Sequence, residues 1–377
     1  MEFKDLNLNL IQRIGIDKLQ LSGFAIKEID ILKLIQMKKV DIQQSANKTR
    51  LYKRHMPDTN AGIAKIIIKD NHIFSDLIIG CANDSNGLPI EYVYLTVTVT
   101  NARGFNLENM SYIEYDAYIA YVLGYIESEY GIALASYFMK VDYLEINANV
   151  FLEQDFAKYN RVLKLLISLF HNHMGKLSTY DSIPNSKGLE EESYKRGNNS
   201  TEIVFYDKSK QLNDMDIPFD EDVSILRLEL RLKNKTKIKS VFESCYWKDI
   251  DDKKIVEYFH KEICTQLSKK YEKWTATRNK ELKKLIVSAR QKSSKIWHHL
   301  IMQEVRNKSE SMLLPYILDI EQICNAFREL PDPNRNVNRS IKSLLNISIE
   351  NDLYKNNDIQ KVYEIFNILE SYSKAIS

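Results

Sequence analysis

Residues Ser200 to Gln211, STEIVFYDKSKQ, read as a β-strand whose side chains alternate between two faces. Val204, Tyr206 and Lys208 fall on one side, and Ile203, Phe205 and Asp207 on the other. A phenol and an ammonium group are therefore placed side by side. Two further stretches carry polar groups at the same period of two. In Val141 to Val150, VDYLEINANV, the apolar set Leu144, Ile146, Ala148 and Val150 leaves Glu145, Asn147 and Asn149 on the opposite face. In Ile225 to Lys233, ILRLELRLK, Leu226, Leu228, Leu230 and Leu232 form the apolar side, and Arg227, Glu229 and Arg231 form the polar one. If the three strands share a sheet, one face gathers two carboxylates, a phenol and several cations.

Around this core the first third of the chain reads as sheet. Ile14 to Phe24 suits a strand and Ala25 to Lys39 a short helix. Ala64 to Lys69, Ile73 to Ile79 and Tyr92 to Thr100 are rich in β-branched residues and divided by turn signals, as in an antiparallel meander. Between residues 106 and 131 the period becomes helical, with Tyr118, Tyr121, Val122 and Tyr125 as a packing stripe. Asp155 is placed to cap a helix bearing Phe156, Tyr159, Leu163, Leu166 and Phe170. Strand, helix and strand in this order suggest a crossover unit. Ser178 to Asn199 reads as a long polar connection.

After the Glu229 strand, Ile250 to Ser309 has almost no Gly or Pro and reads as helix. The predicted fold is α+β: a mixed or antiparallel sheet covered by helices over residues 1–245, then a mostly α-helical C-terminal domain over 246–377. The second domain is assigned to DNA binding or oligomerisation. A helix near Ile317 to Arg328, the turn Pro331-Asp332-Pro333 and a helix near Val337 to Leu345 form a candidate helix-turn-helix.

The formal charge of +2 is near balance, so any nucleic-acid surface must come from the placement of charge. Asp251 to Leu300 holds thirteen Lys/Arg against six Asp/Glu, and Lys233, Lys235, Lys237 and Lys239 precede it. With Tyr246, Trp247, Tyr271, Trp274 and Trp297 nearby, this region suits phosphate contacts and base stacking, or equally a solvated helix face with aromatic core anchors. Cys81, Cys245, Cys264 and Cys324 show neither CxxC nor zinc spacing and read as free thiols. No apolar run has membrane-spanning length, and the expectation is a cytoplasmic protein without membrane contact. His171-Asn172-His173 ends a helical stripe, and the helix dipole is the more economical account of these histidines than a metal.

A tyrosine can attack a phosphodiester and become linked to the DNA end, which conserves the bond energy for rejoining. Its reference pKa of about 10 demands assistance at neutral pH. Lys208 can stabilise the phenolate or hold phosphate, and a divalent ion on Glu145 and Glu229 can polarise the phosphate, since hard cations prefer oxygen ligands. In a chain with 22 tyrosines, however, an aromatic in a strand is ordinarily a half-buried sheet residue.

The ordered set VDYLEINANVF, an amphipathic helix, STEIVFYDKSKQ and ILRLELRLK resembles the core of rolling-circle replication initiators. It is similar both to the filamentous-phage gene II/X family and to the initiators of small Gram-positive plasmids. The likeness covers roughly residues 90 to 245, including YVYLTVTVTNARGF at Tyr92 to Phe105, with an echo at Ile16-Asp17. It implies Tyr206 and Lys208 as catalytic residues and Mg²⁺ or Mn²⁺ held by Glu145, Glu229 and the position of Asn149. Arg227, Arg231, Lys233, Lys235 and Lys237 would support the acids or contact DNA. The implied activity is site-specific nicking and joining at an origin through a 5′-phosphotyrosine. Implied partners are double-stranded origin DNA, single-stranded DNA, a host helicase and polymerase, and a second copy of the chain.

The family often has Arg where this chain has Tyr143, and an acid where it has Asn149. A relaxase or transposase of the same chemistry, and a non-catalytic origin-binding protein, remain alternatives.

Overall fold

A computed structural model describes residues 11–37, 40–45, 62–70, 72–83, 89–103, 107–170, 178–180, 193–214, 223–312, 314–331, 337–350 and 357–374. His171 to His173, most of the polar connection after them, and Asp332-Pro333 lie outside the described residues.

Ten strands form one sheet in the order β2-β3-β4-β5-β1-β6-β10-β9-β8-β7, with every neighbouring pair antiparallel. They are β1 (Gly15–Phe24), β2 (Val40–Ser45), β3 (Gly62–Asp70), β4 (Phe74–Asn83), β5 (Pro89–Thr98), β6 (Lys140–Leu152), β7 (Ser178–Tyr180), β8 (Ser193–Gly197), β9 (Thr201–Asp207) and β10 (Ser224–Leu232). The meander β3-β4-β5 occupies one half of the sheet, as its β-branched runs lead one to expect. The crossover is present in modified form: β6 and β9 run in the same direction but are separated by β10, which pairs with both.

The twelve described helices are α1 (Ile31–Ile35), α2 (Val99–Arg103), α3 (Tyr112–Tyr130), α4 (Asn160–Leu169), α5 (Lys208–Asp214), α6 (Lys235–Phe242), α7 (Asp252–Phe259), α8 (Gln266–Lys292), α9 (Trp297–Met312), α10 (Ile320–Arg328), α11 (Val337–Glu350) and α12 (Asp358–Lys374). The architecture is α+β, and beyond β10 the described elements are all helical. Among the described residues no helix is long and apolar enough to cross a membrane.

Local chemistry explains the boundaries. Ser111 and Glu114 make a reciprocal capping box at the start of α3, and Gly131, at φ 69°, closes it in the left-handed conformation that glycine tolerates best. Asp207 ends β9 by turning its carboxylate to accept from the Lys210 amide at 3.0 Å, and α5 begins at Lys208. The strand expected over residues 200–211 is therefore shorter, and Lys208 belongs to a helix. The connection expected over 178–199 also contains structure, because β7 and β8 extend the sheet at its edge. Their polar, short sequences suit an edge strand and carry little periodic signal.

The leucines of β10 at positions 226, 228, 230 and 232 are fully buried. They share one apolar core with Leu144, Ile146, Ala148 and Val150 of β6 and with side chains of α3, α4, α7 and α12. Each of the buried leucines, isoleucines and valines contributes about 1.5–3 kcal/mol on burial. This core runs past residue 245, through Trp247, Phe259 and Tyr271, and includes Val362 to Tyr372. A second core joins the later part of α8, at Leu282, Ile286 and Ala289, to α9, α10 and α11.

Candidate active site

The centre of the sheet brings the three polar strand faces together in register. Arg227 lies opposite both Asn149 on β6 and Tyr206 on β9; Glu229 lies opposite Asn147 and Val204; Arg231 lies opposite Glu145 and Glu202. Cross-strand partners project their side chains to the same face, so these residues form a single polar surface. A break in register between Ile16 and Lys18 of β1 adds Asp17 to it. A bulge of this kind redirects a side chain, which is why strict alternation along IGIDKLQL does not place it.

Asp17, Glu145 and Glu229 are all buried, and one oxygen from each lies within 4.8 Å of the others. Glu145 accepts a hydrogen bond from the Tyr143 hydroxyl at 2.7 Å. Glu229 Oε1 accepts one from the Tyr206 hydroxyl at 2.7 Å. Three carboxylates this close require compensating charge, and two arginines supply it. The fully buried Arg227 pairs with Asp17 at 3.2 Å and approaches Glu229 at 3.6 Å. Arg231 Nε lies 3.0 Å from both Glu145 and Glu229; its Nη2 also donates to Glu229, and Nη1 lies 3.0 Å from Glu202.

These partners set the protonation chemistry. Glu145 is pushed up to about 8, first by burial and then by the negative charges of Glu229 and Asp17. Tyr206 is held well above the ordinary phenol range by burial and by Glu229. Lys208 is pulled down to about 7 by burial and by the neighbouring Arg227 charge. Its Nζ donates to Gln211 Oε1 at 2.7 Å and stands 6.0 Å from the centre of the Tyr206 ring. Thus Lys208 keeps its place beside the tyrosine although it left the strand.

In the metal-free protein, folded Glu145 holds its proton up to about pH 8, whereas the unfolded chain releases it near 4.5. The folded state binds more protons between those values, so its stability falls as pH rises. Lys208 acts with the opposite sign, but only between about 7 and its ordinary value of 10.5. We expect the melting temperature in chelator to fall more between pH 5 and 7 in the wild type than in Glu145→Gln. Parallel curves for the two proteins would refute the assignment to Glu145.

The triad fits a divalent cation. It consists of hard carboxylate oxygens at close quarters, and Asp17 Oδ1 is buried without a hydrogen-bond partner. Tyr206, Asp207, Glu229 and Arg231 line one side of an open cleft of about 340 Å³ that also reaches Ser193 on β8 and Lys210 on α5. The phenol and all three acids thus line one common space.

Other residues singled out in the sequence take different places. Asn149 Nδ2 donates to the backbone carbonyls of Ile11 and Leu107 at 3.2 and 2.9 Å, which ties this side chain to the chain segments above the sheet. Arg227 is sealed from solvent and supports the acids without access to a DNA backbone. Lys233 pairs with Glu202 at 3.3 Å and Lys235 with Asp142 at 2.9 Å, while Lys237 lies over the Tyr258 ring. Trp247, Tyr271 and Trp297 are core anchors: Trp247 donates to Asp116, and Trp297 stacks on Phe327. They are unavailable for stacking on bases. Glu202, two positions before Val204, shares the Tyr206 face and was legible from the same alternation.

No protein-family model matches the chain, and no curated protein matches it. Among solved structures, the chain is similar to the rolling circle replication initiator protein from Geobacillus stearothermophilus at 13% identity, over 60% of this chain and 76% of that one, with a TM-score of 0.28.

Proposed function

We infer that this chain is a metal-assisted DNA nicking and joining enzyme of the rolling-circle initiator type. The observation that carries the reading is the hydrogen bond from Tyr206 to Glu229, because Glu229 is also one of three clustered buried carboxylates beside an open cleft. Tyr143 makes an equivalent bond to Glu145, but of the two tyrosines it is Tyr206 that lines the cleft.

In this reading Tyr206 Oη attacks the scissile phosphate and keeps the 5′ phosphate as a phosphotyrosine, and the leaving sugar oxygen departs as a 3′-OH. Glu229 Oε1, which accepts the phenol hydrogen bond, orients Oη and would take its proton as the Oη–P bond forms, while the P–O3′ bond breaks and the 3′ oxygen takes a proton from solvent. Lys208, fully buried beside the ring, would act on Tyr206 from behind, its charge favouring the phenolate that forms as Oη attacks. Asp17, Glu145 and Glu229 would hold Mg²⁺ or Mn²⁺, which supplies Lewis-acid stabilisation of phosphate charge. Arg227 and Arg231 fix the carboxylates. The released 3′-OH can prime a polymerase, and the resemblance to rolling-circle initiators adds origin DNA, the unwound single strand and a helicase as proposed partners. A second copy of the chain would assist the joining step.

Incubation with supercoiled plasmid carrying the DNA that flanks its own gene, with Mg²⁺ or Mn²⁺, should yield open circles; chelator should abolish them. Persistent nicking in chelator would contradict metal assistance. One observation favours a second reading: Arg231 lies within 3.0 Å of both Glu145 and Glu229, as a substitute cation would. A non-catalytic DNA-binding protein would then bind its site equally well with or without chelator and leave plasmids intact.

A further inference from the structure

Asn147 is fully buried on β6, and neither its Oδ1 nor its Nδ2 has a hydrogen-bond partner. Buried side-chain amides are ordinarily satisfied, and one that is not calls for an occupant. Its position identifies the occupant's chemistry. Asn147 is two residues from Glu145 on the same strand face and lies directly opposite Glu229 on β10. Its other cross-strand neighbour is Gly15 of β1, two residues before Asp17. On its own face the amide thus has Glu145 two residues before it and Glu229 directly opposite, with Asp17 on the neighbouring strand.

A Cβ at Gly15 would lie 2.7 Å from the Met110 carbonyl oxygen, so the segment at Asn109–Met110 closes over the face at that point. Asp17 Oδ1 and Asn149 Oδ1 are unpartnered in the same way, so three buried oxygen acceptors on this polar face lack donors. Donor-poor oxygens next to carboxylates make a setting for a cation.

We propose that Asn147 Oδ1 is a further protein ligand of the divalent cation held by Asp17, Glu145 and Glu229. The proposal deepens the metal-assisted reading given above. It moves the neutral ligand two residues from Asn149, whose Nδ2 is anchored to the Ile11 and Leu107 carbonyls and whose Oδ1, although also unpartnered, belongs to the position opposite the Arg227 cation, whereas Asn147 stands opposite Glu229. A neutral carbonyl oxygen in place of a fourth carboxylate adds a coordinating atom without adding negative charge to a cluster already balanced by Arg227 and Arg231.

The test is titration of the metal-free full chain with Mn²⁺ alone, following free Mn²⁺ by electron paramagnetic resonance, with no DNA present. Asn147→Ala should weaken binding by about tenfold or more, as loss of a ligand or its close support does. Asn147→Asp, nearly isosteric and charged, should bind more tightly than wild type. Melting curves in chelator establish that each variant is folded; should Asn147→Ala not fold, Asn147→Asp decides alone. Unchanged Mn²⁺ affinity in Asn147→Ala, no tightening in Asn147→Asp, or no Mn²⁺ binding by the wild type would overturn the proposal. The nuclease reading fails separately: Asn147-dependent Mn²⁺ binding in a protein that never nicks DNA would leave this site standing and remove the enzyme. Nicking with unaltered Mn²⁺ affinity in Asn147→Ala would do the reverse.

Discussion

Replacing Arg227 with alanine is expected to destabilise the fold by about 3–5 kcal/mol, the range for removing one partner of a buried ion pair. Arg227 is sealed from solvent and lies between Asp17 and Glu229. Without it, two buried carboxylates face Glu145 with Arg231 as their remaining compensation within the cluster. The cost arises from those stranded charges more than from the lost attraction. Equilibrium urea denaturation in chelator measures it. Two controls separate charge from packing: Arg227→Met keeps most of the side-chain volume but should remain nearly as destabilised, whereas combining it with Glu229→Gln should recover part of the loss. Mn²⁺ should stabilise Arg227→Met by more than it stabilises wild type, because an added cation replaces the missing one. A change below about 1 kcal/mol in Arg227→Ala would mean that water reaches the cluster freely, and the electrostatic description of the site would be wrong.

The second large effect concerns activity alone. Tyr206→Phe removes one oxygen and its bond to Glu229 while keeping the ring that lies beside Lys208. Nicking should fall by a factor on the order of 10⁴–10⁶, as expected when a nucleophile is deleted. Folding should survive, since a hydrogen bond to a charged group is worth about 1.5–3 kcal/mol. DNA binding should also survive, because the phenol carries no positive charge. Nicking reduced only tenfold would assign Tyr206 to positioning and send the search for the nucleophile elsewhere on the cleft.

Much of this site was legible in the sequence because strand alternation is a rigid rule. Glu145, Tyr206, Arg227, Glu229 and Arg231 were each placed on a polar face by the apolar residues between them, and the observed register gathers those faces. Asp17 was less visible, since a bulge breaks the alternation that would have placed it. Lys208 was assigned to the strand because its spacing fits; the side chain of Asp207, an ordinary helix-capping residue, was the signal that the strand stops there. The distinction between Asn147 and Asn149 depends on which amide nitrogen the backbone of Ile11 and Leu107, far away in the chain, reaches, and on whether Glu229 or Arg227 stands opposite. No local pattern encodes such a contact. The aromatics after residue 245 were ambiguous for a similar reason: a Trp at helical spacing serves a core or a nucleic acid equally well until its neighbours are known.

The central claim is that Tyr206 becomes covalently joined to DNA. It is tested most directly by reacting the wild-type protein with origin-bearing DNA and Mn²⁺, digesting protein and DNA, and locating the modified peptide by mass spectrometry. A nucleotide joined through its 5′ phosphate to the peptide containing Tyr206, formed with Mn²⁺ and absent in chelator, is the expected result. Nicked DNA with a free 5′ phosphate and no adduct, or an adduct on another tyrosine, would contradict it.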